Sequence, residues 1–106
     1  MATVEDFKKI ELIVAQIKEV KEHPNADRLY LLQVDTGRDV RQIVVGIRKA
    51  YTPEQLINRR IILIANMDPA VIRGETSNGM LLAASDAYGM ALLAPDKEMA
   101  LGSIIK

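Results

Sequence analysis

The chain has no cysteine, no tryptophan, one phenylalanine and one histidine, His23. Without thiols there is no disulfide framework, no cysteine-ligated metal and no thiolate nucleophile. A single imidazole excludes most metal sites and any mechanism needing two. No Ser-His-Asp set can be assembled around a histidine standing next to Pro24, which reads as a loop residue rather than a general base. Carboxylates are plentiful but show no diagnostic pairing, and Gly37, Gly46 and Gly74 do not fall at phosphate-loop spacing. The expectation is a non-catalytic module that needs no cofactor and no metal.

Long apolar runs are also missing. Stretches such as Ile61 to Ala65 fall far short of the roughly 20 residues that cross a bilayer, and no charged-then-apolar leader opens the chain, so it reads as cytoplasmic with no membrane partner. Net charge is absent too, with 14 basic against 14 acidic residues. That balance argues against a general-purpose nucleic-acid binder, whose phosphate contacts normally show as a basic excess. The objection is met only if the basic groups gather on one face.

What is present is enough for one core. The 106 residues are 49% hydrophobic and 26% charged, the proportions of one soluble domain spanning 1–106. Thr3 to Lys9 suits a single helical turn, capped by Thr3 with Glu5 and Asp6 at its positive end. Ile10 to Val20 is a strand signal, with Leu12 and Val14 on one face and Ile13, Ala15 and Ile17 on the other. His23-Pro24-Asn25-Ala26-Asp27 breaks it into a loop. Leu29 to Asp35 alternates as a second strand, with Tyr30, Leu32 and Val34 sharing a face. Thr36 to Asp39 turns the chain, and Val40 to Ile47 returns as the third strand of a hairpin.

Thr52-Pro53-Glu54-Gln55 is the clearest local signal. Threonine at the N-cap, proline at the first helical position and glutamine three after the cap form a capping box, which predicts a short helix ending near Asn58. Arg60 to Ala65 is a fourth strand, dense in isoleucine and buried on both faces. Asp68 to Gly79 reads as irregular. Met80 to Ala84 and Met90 to Leu93 pair across a turn at Ser85 to Gly89, and Ser103 to Ile105 closes with a last strand. This order predicts an all-β fold, the OB-fold: a five-stranded Greek-key barrel with one short helix between strands 3 and 4, plus N- and C-terminal extensions. The barrel core spans about 10–84, and 85–106 forms a C-terminal extension.

Lys18 and Lys21 lie at the end of the first strand and Arg28 just after its loop. Arg41 opens the third strand, Arg48 and Lys49 follow it, and Arg73 sits in the late loop. In an OB-fold these ends converge on the binding side, although spacing alone equally allows scattered solvated charges. Three tyrosines, Tyr30, Tyr51 and Tyr88, and one phenylalanine make a thin platform for stacking a bare strand. Shape, backbone and 2′-hydroxyl recognition of a folded RNA fits better.

The sequence resembles the tRNA-binding domain found at the C-terminus of methionyl-tRNA synthetases and in free-standing tRNA-binding proteins. The resemblance is carried in order by Val4-Glu5-Asp6-Phe7, His23-Pro24-Asn25-Ala26-Asp27-Arg28-Leu29, Arg41 to Ile47, Tyr51 to Leu56, Ala65-Asn66-Met67, Arg73-Gly74 through Ser77-Asn78-Gly79-Met80 to Ala84, and Pro95-Asp96-Lys97. It implies a homodimer made through the extensions, and binding of tRNA, not DNA, with little sequence preference, as an accessory domain of or partner to a methionyl-tRNA synthetase chain. By position, Ser77, Asn78 and Met80 fall in the family's Ser-x-Gly-Met loop, and Asn25, Asp27 and Arg28 in its first long loop. Ser77 and Asn78 are then expected to hydrogen-bond sugar or phosphate. Met80 packs on a base or ribose, or else in the core. Asp27 shapes the loop or orients Arg28.

Three departures stand out. Glu11-Leu12-Ile13-Val14-Ala15 replaces the common Asp-Leu-Arg-Val-Gly, Asn78 replaces a glutamine, and Val45-Gly46 stands where Ser-Gly is usual. The lost basic residue and the neutral charge together imply weak, salt-sensitive tRNA binding. The same barrel also suits a protein-interaction or chaperone-like homodimer, with Met67, Met80 and Met90 as adaptable contacts.

Overall fold

The computed structural model describes all residues, Met1–Lys106. Its elements in order are α1 (Val4–Lys8), β1 (Leu12–Glu22), β2 (Tyr30–Asp35), β3 (Val40–Val45), α2 (Pro53–Leu56), β4 (Arg60–Ile64), β5 (Ala70–Ile72), β6 (Glu75–Ser77), β7 (Met80–Leu81), β8 (Ala83–Asp86) and β9 (Gly89–Leu92). The main antiparallel sheet has the order β3-β2-β1-β4-β7, and β5-β6 and β8-β9 are separate two-stranded ribbons. The architecture is the expected all-β OB-like barrel with minimal helix.

β1 is the spine. Its first half, Leu12–Gln16, pairs with β4, and its second half, Gln16–Glu22, pairs with β2. The register shifts between Ile17 and Glu19, leaving Lys18 unpaired in a bulge. A bulge bends a strand and increases its twist, and here it lets one strand serve both walls of the barrel. Inward residues follow the period-2 pattern: Ile13, Ala15 and Ile17 of β1 meet Tyr30, Leu32, Val34, Ile43, Ile61 and Leu63 in one core. Ile61, Ile62 and Leu63 are all buried, as the isoleucine-dense β4 predicts.

The barrel closes through side chain as well as backbone. The Asn78 amide donates to the Gln42 carbonyl at 2.8 Å, and the Val44 amide donates to Ser77 Oγ at 2.9 Å. These bonds join β3 to the β6–β7 segment at the far end of the sheet. Gly79 makes the approach possible, since its φ is +144° and a Cβ there would stand 2.9 Å from the Ile64 carbonyl oxygen.

Two stretches differ in detail from the sequence-based expectation. The stretch Asp68 to Gly79 is not irregular: β5 and β6 form a hairpin whose turn residues, Arg73 and Gly74, have φ of 54° and 89°. Two central residues with positive φ make the tight hairpin turn that matches strand twist, and arginine in the first place hides that signal. The C-terminal part divides in two. The β8–β9 ribbon leaves the barrel after Leu81, and Leu92 returns to the core. The final residues lie along the edge of β1 opposite β4, with the Val14 amide donating to Ser103 at 2.9 Å and the Ile105 amide donating to Leu12 at 2.9 Å. Val14, whose amide and carbonyl both bond to this tail, is buried although it lies on the outer face. The tail also requires Gly37, where a Cβ would meet the Leu101 carbonyl oxygen at 2.8 Å.

The second helix carries the capping box that the sequence predicts, Thr52 with Gln55, and the first goes beyond the expected Thr3 cap to a complete box of Thr3 with Asp6. The second helix ends at Leu56, two residues before Asn58, because Asn58 turns at φ 66° and donates its amide to the Ile17 carbonyl. Gly79→Ala is expected to lower stability by about 1–3 kcal/mol through strain at the closure point, read from the urea midpoint. Gly74→Ala, where the left-handed turn has open space around it, should cost less.

Candidate nucleic-acid interface

The two ends of the barrel have different chemistry. β2 runs about 17 Å from Tyr30 to Asp35. At its Tyr30 end lie the β1–β2 loop, the β3–α2 loop, the β5–β6 hairpin and the β8–β9 ribbon. At its Asp35 end lie the β2–β3 turn, α1 and the C-terminal tail. Five of the expected site residues, Lys18, Lys21, Arg28, Lys49 and Arg73, are exposed and take part in no ion pair. Arg28 and Lys49 line one groove of about 870 Å³, together with Gly46, Ala50 and the ribbon residues Ala84 to Asp86 and Tyr88 to Ala91. Asp86 shares that groove, but its carboxylate accepts the Tyr88 amide at 2.8 Å and belongs to the ribbon turn.

Arg48 sits beside this group with its charge engaged. It pairs with Glu22 at 3.0 Å and lies 5.7 Å from the centroid of the Tyr30 ring. Asn25 and Arg73 come together: the Arg73 guanidinium donates to the Asn25 carbonyl at 3.2 Å. The Ser-x-Gly-Met segment divides by depth. Met80 is exposed on the barrel wall and Asn78 is half-buried, while Ser77 is buried. Ser77 Oγ accepts from the Val44 amide and donates to the Gly79 carbonyl, so this hydroxyl is spent inside the protein.

Arg41 is likewise held inward. Its guanidinium donates to Asp39 at 3.1 Å and to the Ala65 carbonyl. The Asp39 carboxyl lies below the ordinary carboxylate range, first because the Thr36 hydroxyl donates to it at 2.7 Å and then because Arg41 stands beside it. Position 13, where the family often carries a basic residue, is Ile13 in the core cluster. The departure there changes the barrel interior and takes no cation from the groove.

Two residues were not read from sequence as part of the site. Tyr88, at the ribbon tip, is 98% exposed. The other two tyrosines work inside: Tyr30 donates its hydroxyl to the Tyr51 carbonyl at 2.8 Å, and the Tyr51 hydroxyl accepts the Leu92 amide at 3.0 Å, which ties the ribbon to the barrel. His23 is 4% exposed and fully engaged. Nothing in one histidine beside a proline marks it as buried; the Ser-Asp-Ala-Tyr-Gly turn did mark Tyr88 as a turn residue, and solvent at a tip follows from that.

No group of histidine, cysteine, aspartate or glutamate is arranged to hold a metal ion, and no helix is long and apolar enough to cross a membrane. A small barrel that presents cations and loops at one end is a binding fold of the oligonucleotide-binding type. The chain belongs to the tRNA-binding domain family: the family model described as "Putative tRNA binding domain" matches residues 12–104. It is 52% identical over 102 residues to the methionine–tRNA ligase of Pyrococcus horikoshii and 45% identical over 103 residues to that of Caldanaerobacter subterraneus, covering 96% and 97% of this chain. The chain spans only 14% and 16% of the length of those relatives. Among solved structures, the CsaA chaperone protein of Picrophilus torridus superposes with a TM-score of 0.93 at 32% identity, covering all of both chains. A MetRS-related protein of Pyrococcus horikoshii superposes with a TM-score of 0.92 at 29% identity, covering 100% of this chain and 98% of that one. The domain is thus a non-catalytic module of the kind joined to methionyl-tRNA synthetases.

Because the Asp39 carboxyl is held below its unfolded value, its contribution is present in full above the unfolded carboxylate range and is lost as pH falls through the folded value. Asp39→Asn is therefore expected to lower the urea midpoint at pH 7, and the difference from the parent should shrink on acidification to pH 3.

Proposed function

We propose that this chain binds tRNA by shape and backbone contacts with little sequence preference, as an accessory domain of or partner to a methionyl-tRNA synthetase chain. The observation that carries the reading is the groove holding Arg28 and Lys49, two unpaired cations at the loop end of a barrel whose family is tRNA-binding. Lys21, Arg48 and Arg73 extend the basic contacts around it, while Lys18, in the β1 bulge between the Ile17–Val34 and Glu19–Gln33 pairs, lies toward the Asp35 end. Asn25, Asn78 and Met80 supply polar and apolar contacts to sugar and base. Arg41 and Ser77 act by positioning, one holding the β3 edge and the other the barrel closure. The neutral total charge does not preclude a local excess: the groove is lined by Arg28 and Lys49 against one carboxylate, Asp86.

A homodimer accompanies this reading, with its contact at the Asp35 end. α1 buries none of its residues, and Val4, Phe7, Ile10 and Ile104 stay exposed where α1 and the C-terminal tail meet. A two-fold contact buries the same patch from both copies. It leaves the loop end of each copy free. The likeness to CsaA chaperone proteins and this patch favour the second reading, a chaperone-like homodimer without tRNA binding.

Total tRNA titrated at low and at physiological salt separates the two. Binding that falls steeply with salt, and that Arg28→Ala weakens roughly tenfold while flattening the salt slope by about one unit, supports the first reading. Tyr88→Ala should weaken binding roughly tenfold if its ring stacks on a base. No tRNA binding at low salt, with suppression of aggregation by the same preparation, supports the second. Phe7→Glu is expected to give a monomer in sedimentation.

A further inference from the structure

His23 is a buried imidazole that the proposed binding surface does not use, and it spans two loops. Its Nδ1 accepts the Asn25 amide at 3.0 Å, so the proton sits on Nε2, which donates to the Ile72 carbonyl at 3.1 Å. The first bond folds the β1–β2 loop on itself. The second reaches the last residue of β5, at the base of the Arg73-Gly74 turn. Arg73 returns the connection by donating to the Asn25 carbonyl at 3.2 Å. The β5–β6 hairpin is held to β3 on its β6 side, where the Gln42 side-chain amide donates to the Thr76 carbonyl at 2.9 Å, and gains this second tether on its β5 side. It is a three-residue-by-three-residue ribbon, Val71 is exposed on it, and a two-stranded ribbon alone is marginal in water.

We propose that His23 is a positioning residue for RNA binding: its ring latches the β5–β6 hairpin to the β1–β2 loop, so that Asn25, Arg28 and Arg73 meet the RNA as one preordered surface. The inference rests on the tRNA-binding reading for its functional consequence, but the latch itself is a property of the free protein. Ordering two loops in advance spares the complex the entropy of ordering them on contact. It also explains why arginine occupies a left-handed position at φ 54°, a conformation that favours glycine or asparagine. The side chain there is the second half of the latch.

The two ring nitrogens can be tested apart. In His23→Asn the side-chain oxygen takes the place of Nδ1 and keeps the loop bond while losing the hairpin. In His23→Gln the side-chain amide takes the place of Nε2 and keeps the hairpin. Amide hydrogen exchange on the free variants is expected to show faster exchange across Ala70–Ser77 in His23→Asn than in His23→Gln. In tRNA titrations His23→Asn should bind roughly fivefold more weakly, with a salt slope reduced by about one unit as Arg73 drops out. His23→Gln should keep the parent slope. A residue that merely holds the fold would lower the melting temperature of both and leave the slope of the folded protein unchanged. Equal hairpin exchange in the two variants overturns the latch. A hairpin loosened by His23→Asn, with tRNA affinity and slope at parent values, overturns the positioning role. If the parent itself binds no tRNA, the functional reading fails while the exchange comparison still decides the latch.

Discussion

A curled sheet ends in two free edges, and everything at the loop end of this protein depends on how those edges are joined. Here the junction is short: a backbone bond from Asn78 to Gln42, one from the Val44 amide to a serine hydroxyl, and the Gln42 side-chain amide donating to the Thr76 carbonyl and to Glu75. A buried amide left without an acceptor costs on the order of 1–3 kcal/mol, so Ser77 stands in for a missing strand residue. Once that contact is made, β6 lies against β3, the β5–β6 hairpin hangs beside the β1–β2 loop, and His23 can reach Ile72. The bulge at Lys18 serves the same end from the other side, turning β1 so that both walls can share it.

The distribution of charge follows from this geometry rather than from composition. The six ion pairs include Arg38–Glu11, Arg41–Asp39 and Arg60–Glu98, which brace the turn, the β3 edge and the tail, so acids neutralise bases where the chain is being held together. Exposed pairs of this kind add little stability. Of the cations outside these pairs, Arg28 and Lys49 stand on the loops that line the groove, where Asp86 is the one carboxylate. A formal charge of zero is compatible with a locally basic groove, and steering of a polyanion depends on that local field.

Much of the fold was legible because local chemistry and packing agreed. Thr3 and Thr52 announced their helices through capping residues at fixed spacing, and the alternation of Tyr30, Leu32 and Val34 named the core face of β2. The β5–β6 hairpin was hidden because its turn carries arginine where glycine or asparagine would have signalled it, and because it buries too little to show period. The site was legible as a set of residue types and not as roles. Arg28 and Lys49 converge as the fold order suggests. Ser77 and Arg41 turn inward to partners 33 and 24 residues away in sequence, and no local pattern records such pairings. His23 escaped for the same reason, its partner lying 49 residues on. The C-terminal extension divided between the two ends because Leu92 finds the core while Ser103 to Ile105 find the open edge of β1.

The central claim is that the Tyr30 end of the barrel faces RNA and the Asp35 end faces a second copy. Mapping amide chemical-shift changes on titration with tRNA tests it most directly. The account predicts changes concentrated in 23–29, 46–50, 70–77 and 84–91, with α1 and residues 101–105 unmoved. Changes concentrated instead on Val4–Ile10 and the C-terminal tail would contradict it.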